Sequence, residues 1–255
     1  MAEVSTHAPG TPIWVDLAAP DPAAAASFYG QLLGWQTQDL GPEAGGYRFF
    51  TKDGKVVAGV GPLMAQGQPP AWSTYIKTED ADATARAVRE AGGRVLAEPF
   101  DVMSAGRMAV FMDPTGAAIS VWQPRDMQGA QLFNEPGSFC WNELNTRDLE
   151  AAKRFYPRVF GWDVDAHPFP GGEYVEWKLN GRSVAGAQPM QSAVPAHVPS
   201  FWMTYFAVQD CDATASQAQS LGARVQMPAM DIPQGRFAVL NDPQGAVFSV
   251  IALKR

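Results

Sequence analysis

Two distant stretches of the chain carry nearly the same pattern. Residues 12–35 read PIWVDLAAPDPAAAASFYGQLLGW, and residues 139–162 read FCWNELNTRDLEAAKRFYPRVFGW. Both contain a tryptophan near the start, a Phe-Tyr pair in the middle and a Gly-Trp pair at the end. A shared pattern of this length predicts that the chain contains an internal repeat.

The repeat continues along the rest of the chain. WSTYIKTEDADATARAVREAGGRV (72–95) recurs as WMTYFAVQDCDATASQAQSLGARV (202–225), and GRMAVFMDPTGAAISV (106–121) recurs as GRFAVLNDPQGAVFSV (235–250). The intervening PRDMQGAQLFNEPG (124–137) is polar and rich in turn residues. We therefore predict a first domain over 11–123, a linker over 124–137 and a second domain over 138–253.

Each copy mixes strand and helix patterns. A short apolar strand precedes Asp21-Pro22, and aspartate is favoured as an N-cap while proline is favoured at the first helical position. Ala24, Phe28 and Leu32 follow at helical spacing, and the helix is expected to end at Gly34. Three strand-like stretches come next, and the series then repeats. The prediction is an α+β fold with two βαβββ units per copy.

Composition excludes several function classes. The chain carries a net charge of −7 and 24 Gly with 21 Pro, and it has no cluster of lysine or arginine, so no nucleic-acid partner is expected. No apolar run approaches the roughly 18 residues of a membrane span, so no membrane partner is expected. The start has no apolar secretory signal, and Cys140 and Cys211 form no CxxC motif. These features predict a cytoplasmic protein.

The motifs FYGQLLGW, FYPRVFGW, DPTG and DPQG resemble those of the vicinal oxygen chelate superfamily, which includes glyoxalase I, bleomycin-resistance proteins and extradiol dioxygenases. GTPIWVDL (10–17) and the two strand-turn-strand repeats also resemble a two-domain actinobacterial subfamily labelled "glyoxalase" or "hydroxylase". The resemblance implies tandem glyoxalase/bleomycin-resistance domains. Each would form a half-open curled sheet, with helices on its convex side and a cavity on its concave face.

The resemblance also implies metal-ligand positions in four strands of each copy. In this chain these positions fall on Trp14 and Trp141, Thr74 and Thr204, Ser120 and Ser249, and on the Ala-Gly pairs 58–59 and 185–186. None of these residues is a histidine or a carboxylate, and an indole N–H cannot ligate a cation. His7, His167 and His197 are scattered and show no ligand spacing. The sequence therefore predicts no metal site and no cofactor.

Strand alternation predicts what lines the cavity instead. Trp14 and Asp16 share a face, as do Trp141 and Glu143 in the second copy. Stacking aromatic rings and a few hydroxyls suit a flat or apolar ligand. For the tryptophans outside the helix ends, packing in the core is an equal alternative. The predicted ligand-binding residues are Trp14, Trp72, Thr74, Ser120, Trp122, Trp141, Trp202, Thr204 and Ser249.

Asp16 and Glu143 are the predicted catalytic residues. A carboxylate in an apolar strand is costly unless it is paired or hydrated, and burial raises its pKa toward that of a general base. The alternative is a structural role, with the carboxylate bonded to backbone or paired with Arg107 or Arg236. The sequence leaves both interpretations open.

These observations favour a metal-independent member of the superfamily that binds a small aromatic or apolar molecule and sequesters or transforms it. Its two copies are expected to pack as a pseudo-dimer within one chain, alone or in a homodimer. Three alternatives are a metal-free enzyme that uses Asp16 or Glu143 as general base, a metal-dependent glyoxalase I-like lyase or dioxygenase, and a non-catalytic interaction protein. An enzyme of this kind would be a lyase, an isomerase or oxygenase-like.

Overall fold

Each copy of the repeat forms one eight-stranded sheet with two helices, which confirms the predicted α+β fold. The computed structural model describes residues 7–65, 67–169, 172–191 and 194–254. Neither sheet closes into a barrel, because the strands at its two ends pair with one neighbour each. None of the helices in these residues is long and apolar enough to cross a membrane.

The first copy contains helices α1 (Pro22–Leu33) and α2 (Ala81–Glu90). Its strands are β1 (Pro12–Ala19), β2 (Gln36–Asp39), β3 (Arg48–Lys52), β4 (Lys55–Pro62), β5 (Ala71–Lys77), β6 (Arg94–Val102), β7 (Gly106–Met112) and β8 (Ala118–Pro124). They lie in the order β2-β3-β4-β1-β5-β8-β7-β6. Strands β1 and β5 therefore occupy the centre of the sheet.

The second copy repeats this order with helices α3 (Leu149–Phe160) and α4 (Cys211–Ser220). Its strands are β9 (Phe139–Thr146), β10 (Asp163–Phe169), β11 (Gly172–Leu179), β12 (Arg182–Pro189), β13 (Phe201–Ala207), β14 (Arg224–Ile232), β15 (Gly235–Asn241) and β16 (Val247–Leu253). Strands β9 and β13 form the centre of this sheet.

The first helix of each copy begins and ends where the sequence predicts. The Asp21 carboxylate accepts hydrogen bonds from the backbone N–H groups of Ala23 and Ala24, and so caps the start of α1. Gly34 ends the helix with φ of 73°, a left-handed conformation that favours glycine. Asp148 and Gly161 do the same for α3.

The helix-bearing faces of the two sheets pack against each other. One core cluster joins α1 and strands β1, β3 and β4 to α4, β15 and β16, and the other joins α2, β7 and β8 to α3, β11 and β12. Helix α1 accordingly contacts α4, and α2 contacts α3. The concave faces point away from this shared core, so any ligand on them lies on the outside of the molecule.

Two crossed hydrogen-bond chains connect the copies. Tyr29 of α1 donates from its hydroxyl to Asp242 Oδ2 of the second copy at 3.1 Å, and accepts from Trp72 Nε1 at 3.0 Å. In the equivalent series of hydrogen bonds, Tyr156 of α3 donates to Asp113 Oδ2 of the first copy at 2.6 Å and accepts from Trp202 Nε1 at 2.9 Å. The tyrosines of the Phe-Tyr motifs thus bond to the aspartates of the Asp-Pro turns.

Candidate functional site

Four of the predicted ligand-binding residues lie on the wrong face of the sheet for that role. In the β1–β5 pairing, Trp14 is opposite Tyr75 and Asp16 is opposite Ser73, so Thr74 faces the shared core with Val15. Thr74 Oγ1 donates to Asn142 Oδ1 of the other copy at 2.8 Å. The prediction that places Trp72, Thr74, Trp202 and Thr204 in the cavity is therefore wrong.

The physical reason is the parity of a strand. Side chains alternate along a strand, so a shift of one residue moves a position to the other face of the sheet. Thr74 and Thr204 each stand one residue before a tyrosine. These tyrosines, Tyr75 and Tyr205, are opposite Trp14 and Trp141 and take the concave positions.

A carboxyl–phenol cluster lies at the centre of the concave face in the first copy. Tyr47 and Tyr75 both donate their hydroxyl hydrogens to Asp16 Oδ2, each at 3.0 Å. Trp14 Nε1 in turn donates to the Tyr47 hydroxyl at 3.1 Å. Asp16 and Tyr47 are half-buried, whereas Trp14 and Tyr75 are only 3% and 7% exposed, so part of this cluster reaches the surface.

The second copy holds a related cluster with an added amide. Tyr205 donates to Glu143 Oε1 at 2.9 Å, and Trp141 Nε1 donates to the Tyr174 hydroxyl at 3.1 Å. Gln188 Nε2 also donates to Glu143 Oε1, at 2.8 Å. The amide and the phenol thus bond to the same oxygen, and Glu143 is only 6% exposed.

Glycines make room for the phenol ring in each copy, at Gly59 and Gly61 in the first and at Gly186 in the second. A Cβ at Gly59 would lie 2.0 Å from the Tyr47 hydroxyl oxygen, and a Cβ at Gly186 would lie 2.1 Å from that of Tyr174. No side chain tolerates such contacts without displacement of the ring. The tyrosine ring that covers each Ala-Gly pair therefore explains why the second residue of the pair is a glycine.

Burial dominates the electrostatics of both clusters. Removal from water raises the pKa of Asp16 to about 6. The hydrogen bonds from Tyr47, Tyr75 and the Ser73 hydroxyl act in the opposite direction and lower this pKa. Burial likewise raises the pKa of Glu143, against the hydrogen bonds of Tyr205 and Gln188. The carboxyl of Asp16 therefore changes its charge close to neutral pH.

Asp16→Asn is expected to raise the free energy of unfolding at pH 8, by up to about 3 kcal/mol. The pKa of Asp16 is higher in the folded chain than its ordinary value of 3.8. The carboxyl therefore stabilises the folded state fully at pH values below 3.8, and this stabilisation is lost as the pH rises through about 6. Urea unfolding from pH 4 to pH 8 should show a difference between variant and wild type that grows up to about pH 6 and then levels off. A difference that is constant with pH would contradict the shift.

The two arginines weighed as partners of these carboxylates bond elsewhere. Arg107 pairs with Asp82 at 2.9 Å and with Asp101 at 2.9 Å, and Arg236 pairs with Asp212 at 2.6 Å. All three acids lie on the outer surface, near the first turns of α2 and α4 or at an edge strand. The hydrogen-bond partners of Asp16 and Glu143 are therefore neutral groups.

Three other predicted residues lie beside the clusters. Ser120 is opposite Tyr75 and Ser249 is opposite Tyr205 in the parallel pairings of each sheet, so both serines share the concave face. Trp122 is on the same face of β8, where its Nε1 donates to the backbone oxygen of Met127 at 2.8 Å. Trp122 therefore holds the linker against the sheet. Their part in ligand binding stays a prediction.

The donors on the concave faces do not fit the metal that the family resemblance implies. Around Asp16 the structure gathers one carboxylate, two phenols and an indole, and the phenols already bond to the carboxylate. In the described residues the one group of three His, Cys, Asp or Glu side chains within ligand distance is Asp165, His167 and Glu176, at the rim of the second sheet. There Lys178 pairs with Asp165, which places an ammonium where a cation would bind.

Two cavities on the surface lie outside the concave faces. The larger, of about 600 Å³, is bounded by the end of α1, the linker and the start of α4, and the smaller, of about 270 Å³, lies near Asp21 and Arg48. In the larger one, Lys52 Nζ already bonds to the Leu33 backbone oxygen. We call the concave surface around Asp16 the groove of the first copy, and the surface around Glu143 the groove of the second copy.

Known proteins resemble this chain over its whole length. It is 43% identical over 266 residues to the anthracycline biosynthesis protein DnrV of Streptomyces peucetius, covering 98% of this chain and 96% of that protein. It is 42% identical over 258 residues to the putative glyoxylase CFP32 of Mycobacterium tuberculosis, covering 98% of both. Two names for such close relatives leave the activity open.

Solved structures share the fold at low identity. The Mn(II)-bound glyoxalase from Novosphingobium aromaticivorans matches with a TM-score of 0.67 and 16% identity, covering 96% of this chain and 83% of that one. A catechol 2,3-dioxygenase matches with a TM-score of 0.66 and 14% identity, covering 98% and 90%. A family model described as Glyoxalase/Bleomycin resistance protein/Dioxygenase superfamily matches residues 11–121 and 139–250. The chain therefore belongs to the glyoxalase/bleomycin resistance protein/dioxygenase superfamily.

Proposed function

We propose that this protein binds a small planar aromatic or apolar molecule on its concave surface without a metal ion. The observation that carries the proposal is the cluster of Trp14, Tyr47, Asp16 and Tyr75, which occupies the centre of the sheet. The half-buried rings of Tyr47 and Phe49 supply area for contact with a ligand, and the Asp16 carboxyl supplies orientation. The donor set offers a hydrogen-bond acceptor rather than a cage for a cation.

The walls of this groove support an apolar ligand. Phe49 lies edge-on to Trp14 with ring centroids 5.6 Å apart, and Tyr47 lies edge-on to Phe49 at 6.2 Å. Phe100, exposed at 40%, and Met108 are paired across β6 and β7 farther out on the same sheet. The relatives named for anthracycline biosynthesis point to the same ligand class, since an anthracycline is a polycyclic aromatic molecule.

Ligand binding is tested with 2,6-dihydroxyanthraquinone, a planar probe with free hydroxyl groups, by calorimetric titration in the presence of EDTA. We expect Trp14→Ala to weaken binding at least about tenfold, because the buried indole, 3% exposed, packs edge-on against Phe49 and donates to the Tyr47 hydroxyl, and so holds both rings in place. Trp72→Phe is the matched control: this tryptophan is on the same sheet but faces the shared core, so the affinity should hold. Equal affinity in both variants would remove Trp14 from the site.

Metal independence is tested on protein purified without chelators, by elemental mass spectrometry. We expect less than about one metal ion per ten chains and an unchanged unfolding midpoint in EDTA, because a structural metal would stabilise the folded state. One bound transition metal per copy would overturn this part of the proposal. The lyase or dioxygenase interpretation would then lead.

A second candidate is a metal-free enzyme that uses Asp16 as general base. The pKa of about 6 favours it, because a base works best when its pKa is near the operating pH. In that case Asp16→Asn should lower the rate of proton abstraction at least about 100-fold. A pure binding protein would release the probe chemically unchanged, which chromatography of the bound fraction distinguishes.

A further inference from the structure

We propose that the groove of the second copy is a separate binding site, and that its ligand is an uncharged apolar molecule. The inference goes beyond the proposed function, because it concerns the concave surface around Glu143 and a ligand that needs no contact with Asp16. It comes from a comparison of the side chains that the two copies place at equivalent positions of their concave faces.

The apolar side chains of this groove form a cluster that is separate from the shared core. Met203 and Tyr205 are buried in it, and Trp141, Phe201 and Phe237 pack against them while staying partly exposed. Tyr205 is opposite Trp141 in the pairing of β13 with β9, so the cluster lies on the concave face. Partly exposed rings packed together on a concave surface are typical of a site for an apolar ligand.

The second copy has large apolar side chains at three positions where the first copy has small ones. In the aligned repeats, these pairs of second-copy and first-copy residues are Phe201 and Ala71, Met203 and Ser73, and Met227 and Ala97. The strands concerned are β13 and β14 in the second copy, and β5 and β6 in the first. The apolar cluster is therefore a property of the second copy rather than of the repeat.

The linker covers part of the first copy and leaves the equivalent indole of the second copy more exposed. Met127 packs against the core cluster that contains Trp14 and Trp122, and its backbone oxygen accepts from Trp122 Nε1 at 2.8 Å. Trp14 is 3% exposed, whereas Trp141, at the equivalent position, is half-buried. A ligand in the second groove therefore has an indole surface to cover.

The polar groups of the second groove are already bonded to one another. Glu143 Oε1 accepts from the Tyr205 hydroxyl at 2.9 Å and from Gln188 Nε2 at 2.8 Å, and Gln188 also donates to Asn145 Oδ1 at 3.1 Å. An apolar ligand on the neighbouring rings leaves these hydrogen bonds intact. A ligand that competes for them would have to replace bonds that are already made.

The charge of the walls sets the charge of the ligand. Phe201, Met203 and Phe237 are uncharged, and the charged side chains of Asp165 and Lys178 lie on β10 and β11, toward the other edge of the sheet. A charged ligand would lose its hydration against uncharged side chains, which is costly. An uncharged apolar ligand instead gains from removing its own surface and that of the rings from water.

The lining also combines rigid and adaptable surfaces. The rings of Tyr205 and Phe237 have centroids 6.0 Å apart, at an interplanar angle of 42°. Met203 and Met227 add unbranched thioether side chains, which adjust to the outline of a ligand. The chemical class is therefore set by apolar character rather than by one particular shape.

The first test compares two fluorescent probes that share one ring system. N-phenyl-1-naphthylamine is uncharged, and 8-anilinonaphthalene-1-sulfonate carries an added sulfonate. Both are titrated in roughly 0.5 M sodium chloride, which screens the net charge of −7. We expect the uncharged probe to bind at least about tenfold more tightly, because the sulfonate loses hydration in the groove. Equal affinities would overturn the assigned ligand class.

Two variants locate the site of N-phenyl-1-naphthylamine. Phe201→Ala introduces the residue of the first copy, and Phe237→Ala removes the ring beside Tyr205. We expect each to weaken binding at least about fivefold, because apolar contact area is lost. Both rings are partly exposed, so the variants should fold, which far-UV circular dichroism checks.

Val164→Ala is the matched control for these variants. Val164 is 41% exposed but pairs with Trp177 of the shared core, so it lies on the opposite face of the same sheet, and its truncation should change the affinity less than about twofold. Unchanged affinity in both phenylalanine variants, an equal loss in Val164→Ala, or no binding to the wild type would overturn the inference. The proposed function is tested separately, with 2,6-dihydroxyanthraquinone and Trp14→Ala, so either proposal can fail while the other stands.

Discussion

Asp113→Ala is expected to lower the free energy of unfolding by about 3–5 kcal/mol. Asp113 is buried, and its Oδ1 accepts from the backbone N–H groups of Thr115 and Ala117 while its Oδ2 accepts from the Tyr156 hydroxyl of the other copy. The Thr115 hydroxyl donates to Oδ1 as well, so alanine would leave four donors without their acceptor, two of them buried. Urea unfolding, followed by tryptophan fluorescence and by far-UV circular dichroism, measures the loss.

Tyr156→Phe separates the two parts of this effect. It removes the bond between the copies and the acceptor of Trp202 Nε1, while the turn contacts of Asp113 Oδ1 stay in place, and we expect a loss of about 1–2 kcal/mol. A loss below about 1 kcal/mol in Asp113→Ala would show that the turn holds its shape without the carboxylate. The counterpart Asp242 should behave alike, since it bonds to Tyr29 and to its own turn.

Trp162→Ala is expected to lower the free energy of unfolding by about 3–5 kcal/mol, the usual cost of deleting a buried large aromatic side chain. Trp162 is 2% exposed, stacks on Tyr156 with centroids 5.5 Å apart, and donates from Nε1 to the Gly10 backbone oxygen at 2.7 Å. The variant leaves both a cavity and an unpaired carbonyl. Thermal and urea unfolding both report the change.

Val164→Ala is the matched control for Trp162→Ala. It lies two residues further along, in β10, and is 41% exposed, so its truncation should cost less than about 0.5 kcal/mol. Equal effects of the two variants would contradict the assignment of Trp162 to the core. Because Trp162 and Asp113 both contact Tyr156, their combined loss should differ from the sum of the single losses.

Sequence periodicity was sufficient to predict the fold. The duplicated strand–helix patterns, the cap at Asp21 and the glycine ends at Gly34 and Gly161 depend on local chemistry, and the structure repeats each of them. The face shared by Trp14 and Asp16 was also predictable, because it needs only alternation within one strand. Local rules work where the interaction lies within one element.

The site was less predictable, because it depends on pairing between strands. Trp72, Thr74, Trp202 and Thr204 fall on the opposite face once the β1–β5 and β9–β13 registers are known, and register cannot be read from one strand alone. Tyr47 and Tyr75 were missed as partners of Asp16, although a signal was present. Both tyrosines recur in the second copy, as Tyr174 and Tyr205, beside a second carboxylate.

The crossed core has a consequence for how the two grooves can change. Since each core cluster contains residues of both copies, an isolated copy would expose apolar surface that only the other copy covers. A dimer of two identical single-copy chains could cover this apolar surface, but every substitution would then occur in both grooves. Fusion into one polypeptide removes that constraint, and Gly61 and Gln188 are the visible result: the Tyr47 ring lies over Gly61 in the first copy, while the Gln188 amide donates to Glu143 in the second.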